Sequence, residues 1–196
     1  MRINDSLSIA TYLQEIFQRY ANFKKEKIET MDTVINYTLA YPVMYAIPVW
    51  IKAQKILELG IGSNALSTYI FYEALKITGG KLISVDIDPS FNYEKFPEFD
   101  KNIWTCMNCN DMILDFSQSE FDIIMIDTDH ELNHTIQEME RFVPSLKSGG
   151  FLYMHDTDQD QVRRAVDYFI STHTDLELFY REPVKAKPEI TIFKKL

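Results

Sequence analysis

From Lys55 onward the chain alternates short apolar runs with stretches long enough for a helix, and this alternation restricts the fold more than any other feature. KILELG (55–60), KLISVDI (81–87), NIWTCM (102–107), FDIIMID (121–127) and FLYMHD (151–156) read as buried strands. Ala65 to Leu75 reads as a helix ended near Gly79–Gly80, and Asn133 to Lys147 as a second, broken or bent near its end by Pro144, with Gly149–Gly150 as the turn that delivers the strand ending at His155–Asp156. Val162, Ala165, Val166, Phe169 and Ile170 mark a third by their i, i+3, i+4 period. Strands joined by helical crossovers imply a parallel sheet with helices on both faces. The last two strand candidates, 176–182 and 189–195, are separated only by Pro183 to Pro188, too few residues for a crossover helix. They are expected to pair as a hairpin, with the last strand antiparallel to the rest. The expected fold is α/β: a Rossmann-like, doubly wound, mostly parallel seven-stranded sheet.

Residues 1–53 precede this pattern and read as a helical extension, a candidate substrate cap on the domain at 54–196. Ala10, Leu13, Ile16, Phe17 and Tyr20 give residues 5–22 an amphipathic period, and Tyr37, Tyr41 and Tyr45 form an aromatic stripe in 28–52. Such a stripe packs on a core more often than it lines a pocket. The N-terminus has no unbroken apolar run of the signal-peptide kind. The longest nearly apolar run, Tyr41 to Ile51, is far short of the ~20 residues that cross a bilayer. Twenty Lys+Arg against 29 Asp+Glu give a net charge of −9, with no basic patch. Nucleic acid and anionic membrane are therefore not expected partners, and two cysteines without a secretion signal suggest the cytoplasm.

Four polar constellations fall at strand C-termini, where open α/β sheets bind ligands. At the first, Glu58-Leu59-Gly60-Ile61-Gly62, two glycines let a ligand approach the backbone at the start of a helix. At the second, Asp86 follows Gly60 by 26 positions, close to the spacing of an acid that binds ribose hydroxyls; Asp88 before Pro89 reads as a turn-former. The third is Asp127-Thr128-Asp129-His130, in which Asp129 reads as a helix cap, and the fourth is His155-Asp156. Two acidic-plus-His clusters at one sheet edge suit a divalent cation or proton transfer. His134, four residues after His130, would share a helix face with it if the helix starts that early. Cys106 and Cys109 read as reduced thiols, and His173 as a residue interacting with a helix dipole.

The series ELGIG, SVDIDP, IDTDHE and LKSGGFLYMHD resembles the class I S-adenosylmethionine-dependent methyltransferases over about residues 54–196. IDTDH and MHD are most similar to the small-molecule O-methyltransferases, both the catechol type and antibiotic-tailoring relatives. The resemblance implies S-adenosylmethionine as cofactor, with Glu58, Gly60 and Gly62 around its methionine part. It further places Asp86 on the ribose hydroxyls, Ile87 against the adenine, and Asn110 and Asp111 at the adenine amino group. Asp127 would be the first carboxylate of a metal site for Mg or Mn, with His155 and Asp156 where the catechol type has an Asp-Asn pair. That histidine either shifts the choice toward a transition metal or indicates no metal. Asn64 replaces an expected glycine. His130 stands where relatives carry a lysine base, and an imidazole near pKa 6.5 suits deprotonation at neutral pH.

The function expected is methyl transfer to a small-molecule acceptor, at a hydroxyl oxygen, with a homodimer as the candidate assembly. The aromatic, acidic segment 90–100 is expected to help build the acceptor pocket. The alternatives are an NAD(P)-dependent oxidoreductase using the same glycine turn, and a cofactor-binding protein without turnover.

Overall fold

The computed structural model describes residues 40–62, 65–88, 96, 97, 99–118, 120–181 and 190–196. The expected helix at 5–22, Tyr37 and Asn64 lie outside the described residues.

Five parallel strands form where the apolar runs predict them: β1 (Lys55–Leu59), β2 (Lys81–Asp86), β3 (Trp104–Asn108), β4 (Phe121–Ile126) and β5 (Leu146–Met154). The helices in chain order are α1 (Ala40–Ile51), α2 (Leu66–Thr78), α3 (Leu132–Phe142) and α4 (Asp160–Thr172), followed by β6 (Leu176–Arg181) and β7 (Thr191–Lys195). The sheet order is β3-β2-β1-β4-β5-β7-β6, with β7 antiparallel to both neighbours. The seven-stranded, doubly wound expectation holds, and the terminal hairpin places β6 at the sheet edge.

Strand periodicity sorts the side chains onto two faces. Ile56, Leu82, Ile123, Met125 and Tyr153 pack with α1 and α2 residues such as Met44, Ile47, Ile70 and Phe71. Leu57, Leu59, Ile124, Ile126 and Leu152 pack with Met139 and Phe142 of α3 and Val162, Val166 and Phe169 of α4. Tyr45 of the aromatic stripe is buried in the first of these cores. No described helix is long and apolar enough to cross a membrane.

Three local expectations are corrected. The helix begun near Asn133 ends at Phe142, because Pro144 sits in a 3-10 turn, Val143–Ser145, and β5 starts directly after it at Leu146. Gly149 and Gly150 therefore lie inside β5 rather than in a turn before it. They form a bulge in which the step from Phe121 to Ile123 in β4 is matched by the longer step from Leu146 to Phe151 in β5, with Gly149 at φ +80°. In the segment expected to build an acceptor pocket, Phe96 and Phe99 instead join the core, where Phe99 stacks on Tyr72 at 4.1 Å and meets Trp104 edge-on.

Candidate active site

The strand order reverses between β1 and β4, so their C-terminal ends open the crevice where such sheets hold ligands. Gly60 leaves β1 at φ +83°, and a Cβ there would come within 1.8 Å of the Asp127 carbonyl oxygen. The glycine is thus required by the close approach of the β4 end, as well as by its left-handed conformation. The Asp127 N–H donates to Leu59 O at 2.9 Å and the His155 N–H to Ile126 O at 3.1 Å, which extends the sheet past the strand ends.

Four side chains meet at this edge. His130 Nε2 lies 3.3 Å from Asp127 Oδ1 and 3.1 Å from Asp156 Oδ2, and His155 Nδ1 lies 3.4 Å and 3.3 Å from the same two oxygens. The two histidines and two aspartates alternate around one small gap. His130 and Asp156 both hold φ above +50°, strained values for residues with a Cβ. Asp127 and Asp156 push His130 up to about 9. Burial disfavours a charged His155, yet the same carboxylates lift it to about 10. Burial also works against the two carboxylates, but the imidazoles beside them hold both below the usual range. The ordinary imidazole pKa expected for His130 is therefore not what the fold provides: the two carboxylates favour the charged ring.

Three of these four residues, Asp127, His130 and Asp156, have the donor set and spacing of a cation site, with His155 Nδ1 beside the same two carboxylates. Neighbouring ligands on a metal with bonds of about 2.0–2.2 Å stand roughly 3.0–3.5 Å apart, and all four contacts fall in that span. Asp127, His130 and Asp156 each direct one donor atom into a space where these atoms lie within 4.8 Å of one another. Nδ1 of His155 is buried without a hydrogen-bond partner, because neither neighbouring carboxylate is aligned for one. His130, which sequence reasoning took as a base, thus stands among the candidate ligands Asp127, His155 and Asp156. Its Nδ1 faces Gln159 Nε2 at 3.2 Å.

Asp86 ends β2 on the other side of the Gly60 loop. Its Oδ2 accepts the Ile61 N–H and its Oδ1 the Asp88 N–H, each at 2.8 Å. A carboxylate accepts about four hydrogen bonds, so two sites remain for ligand hydroxyls. Ile87 beside it is 73% exposed, an apolar surface open to a flat ring. A Cβ on Gly62 would meet nothing within 4 Å, so the loop borders open space.

Glu58 is placed differently from a loop residue that touches ligand. It points from β1 toward α2, fully buried, and accepts hydrogen bonds from Ser67 (2.5 Å), Thr68 (2.8 Å) and Ser84 (2.5 Å). Burial outweighs these donors and pushes its carboxyl up to about 7.

A second group lies beside the first. Asn110 caps the 3-10 turn Asp111–Ile113 by accepting the Met112 N–H. Asp111 faces α3, where His134 Nε2 stands 4.0 Å from its Oδ1 and 3.4 Å from Glu138 Oε1. His130 precedes α3, so His130 and His134 do not share a helix face; they belong to separate clusters. Asp129 is not the cap of α3, a position held by Glu131; it closes a turn just before the helix by accepting the Glu131 N–H at 2.9 Å. Sequence reasoning missed Glu138, although its i, i+4 spacing from His134 was the available signal. Cys106 and Cys109 are free thiols, and His173 caps α4 while stacking on Phe169 at 3.8 Å.

Residues 57–157, just over half of the chain, match the family model of a methyltransferase domain. The chain belongs to that family. No curated protein matches the methyltransferase in sequence. Its fold is similar to that of the Podospora anserina methyltransferase PaMTH1 bound to SAH, with 14% identity, TM-score 0.66, and coverage of 100% of this chain and 98% of that one. It is also similar to a Bacillus cereus O-methyltransferase in complex with SAH (13%, TM-score 0.62, 94% and 91% covered). A third similar structure is TomG from Streptomyces achromogenes, an O-methyltransferase of tomaymycin synthesis in complex with SAM (16%, TM-score 0.63, 92% and 89% covered). Identities this low speak to the fold alone. The methyltransferase crevice lies between β1 and β4, at the Gly60–Asp127 contact.

Proposed function

We propose that this methyltransferase moves the methyl group of S-adenosylmethionine to a hydroxyl oxygen of a small molecule. The observation that carries the reading is the quartet of Asp127, His130, His155 and Asp156 standing beside the Gly60 loop and Asp86 at one switch point. The O-methyltransferase structures of similar fold, crystallised with SAH or SAM, agree with it.

The residues present suit that cofactor. Asp86 keeps acceptor capacity for two ribose hydroxyls, Ile87 offers an apolar face to the adenine, and Gly62 leaves the methionine end room beside the backbone, while Gly60 lets the loop close on the Asp127 carbonyl. Asn110 and Asp111 stand on the adenine side, with Asp111 as acceptor for the amino group. Glu58 acts through α2: its three hydroxyl partners fix the helix that follows the glycine loop. When bound, S-adenosylmethionine supplies a methyl carbon already activated by sulfonium, which an acceptor oxygen displaces in line. The protein's part is then chiefly alignment of the two reactants.

His130 is the group placed to hold the acceptor's proton, at Nε2, with Asp127 orienting the ring. Because the two carboxylates favour the charged ring, Nε2 takes the acceptor's proton only from the neutral form. Asp127, His155 and Asp156 would hold a divalent cation, which supplies orientation of the acceptor oxygen and a lowered hydroxyl pKa. The imidazole nitrogen of His155 among these donors favours Mn or a later transition metal over Mg. Residues 1–53 are read as the cap over the acceptor and the cytoplasm as the compartment, in keeping with the free thiols.

The test is transfer of labelled methyl from S-adenosylmethionine to a panel of phenols and aliphatic alcohols. Transfer by the wild-type protein, lost in His130→Ala, supports the reading. Binding of S-adenosylhomocysteine without transfer to any acceptor favours a cofactor-binding protein without turnover. Binding of a nicotinamide cofactor alone favours an oxidoreductase.

A further inference from the structure

Of the cluster Asp111, His134 and Glu138, only Asp111 has a part in the proposed cofactor site, and the group has its own unmet chemistry. Glu138 is fully buried on α3, and Asp111 is 9% exposed in the turn after β3. Among the described residues, His134 is the one basic side chain within ion-pair distance of either carboxylate; neither meets a Lys or Arg. Asp111 Oδ2 is buried with no hydrogen-bond partner. Two carboxylates buried this close require a shared proton or a cation between them.

The arrangement also has features of a ligand shell. His134 and Glu138, four residues apart on α3, project from one helix face. Their donor atoms stand 3.4 Å apart, the spacing of neighbouring ligands on one ion. Donor atoms of the three residues all fall within 4.8 Å of one another. Thr128 donates its hydroxyl to both oxygens of Glu138, at 2.7 and 2.8 Å, which fixes the carboxylate as outer-shell partners of metal ligands do.

We propose that Asp111, His134 and Glu138 form a second divalent-cation site, separate from the quartet, that ties the turn after β3 to α3. One imidazole and two carboxylates suit Mn²⁺, Co²⁺ or Zn²⁺ better than Mg²⁺. The ion neutralises the buried acids, and His134, only partly covered, opens toward solvent as its entry side. Asp111 has two oxygens, enough for the ion and an amino group together. The proposal stands independently of the cofactor and the acceptor.

The test titrates Co²⁺ into EDTA-stripped full-length protein, followed by calorimetry and visible absorption, with circular dichroism to confirm folding. A double variant, Asp127→Asn with Asp156→Asn, removes the first candidate site. It is expected to retain one equivalent of Co²⁺, with affinity falling at least tenfold on addition of His134→Ala or, separately, Glu138→Gln. No uptake by the folded double variant, or uptake that neither change weakens, overturns the proposal. Should the double variant not fold, the single variant His134→Ala decides: loss of one equivalent relative to wild type supports the site, and an unchanged count refutes it. Failure of the quartet to bind metal leaves a different mark, one wild-type equivalent that disappears with His134→Ala.

Discussion

Glu58 makes the fold's stability depend on pH in an unusual direction. Its carboxyl, buried against α2, titrates at about 7 in the folded protein against an ordinary 4.5. Below pH 4.5 the group is protonated in both states and has no effect on stability. Between about 4.5 and 7 the folded state holds a proton that the unfolded chain has released, so stability falls as pH rises. Above pH 7 the full cost of a buried charge remains, roughly 3 kcal/mol from the separation of the two values. Glu58→Gln removes this dependence while keeping the shape. Its carbonyl oxygen can accept from Thr68 and Ser84, and its amide can donate to Ser67, whose hydroxyl is free to rotate. Urea unfolding of both proteins from pH 4 to pH 8 is the assay, and the difference between them isolates Glu58 from every other titrating group. The account predicts that Glu58→Gln gains on wild type by roughly 3 kcal/mol across that range, with the change concentrated between pH 4.5 and 7. A difference that is flat with pH, or a variant that loses ground at pH 8, would refute the reasoning.

Further outcomes follow from the crevice. Gly60→Ala forces a Cβ against the Asp127 carbonyl and strains a left-handed backbone, a cost of roughly 3–5 kcal/mol, so calorimetry should show Tm about 10 °C lower. A Tm within a degree or two of wild type contradicts the close approach. Ile87→Asp leaves stability within about 0.5 kcal/mol because the side chain is exposed, yet weakens S-adenosylhomocysteine binding by placing charge against the adenine. Unchanged affinity removes Ile87 from the cofactor site. His155→Asn restores an all-oxygen option beside Asp127 and Asp156, and competition titrations should show its cation preference moving from Mn²⁺ toward Mg²⁺. An unmoved preference means His155 is no ligand.

The parts that were legible in the sequence are those fixed by local pattern. Strand positions, the antiparallel last strand and the crevice end of β4 follow from apolar runs, connection lengths and the glycine turn. Asp86 and Asp127 were found because strand-end acids sit at a fixed place in such sheets. Contacts between distant segments were not legible. Nothing near Glu58 announces that Ser67, Thr68 and Ser84 will close around it, since two lie on the next helix and one on a neighbouring strand. The lift in His130 comes from Asp127 and from Asp156, the latter 26 residues away, and the left-handed turn at His130 that brings the ring there has no glycine to mark it. Glu138 reads as one more polar residue on an amphipathic helix until the turn after β3 brings Asp111 against it. The bulge at Gly149–Gly150 was taken for a turn because a glycine pair serves either purpose.

The central claim is that the switch-point crevice holds S-adenosylmethionine, with Asp86 on the ribose. Calorimetric titration of S-adenosylhomocysteine into wild-type protein and into Asp86→Ala tests it most directly. Two charge-assisted hydrogen bonds at about 1.5–3 kcal/mol each set the expected loss at tenfold or more. The account predicts one equivalent bound by wild type, binding at least tenfold weaker in a folded Asp86→Ala, and no heat from a nicotinamide dinucleotide. Equal affinity in the two proteins, or nicotinamide binding in place of S-adenosylhomocysteine, would contradict it.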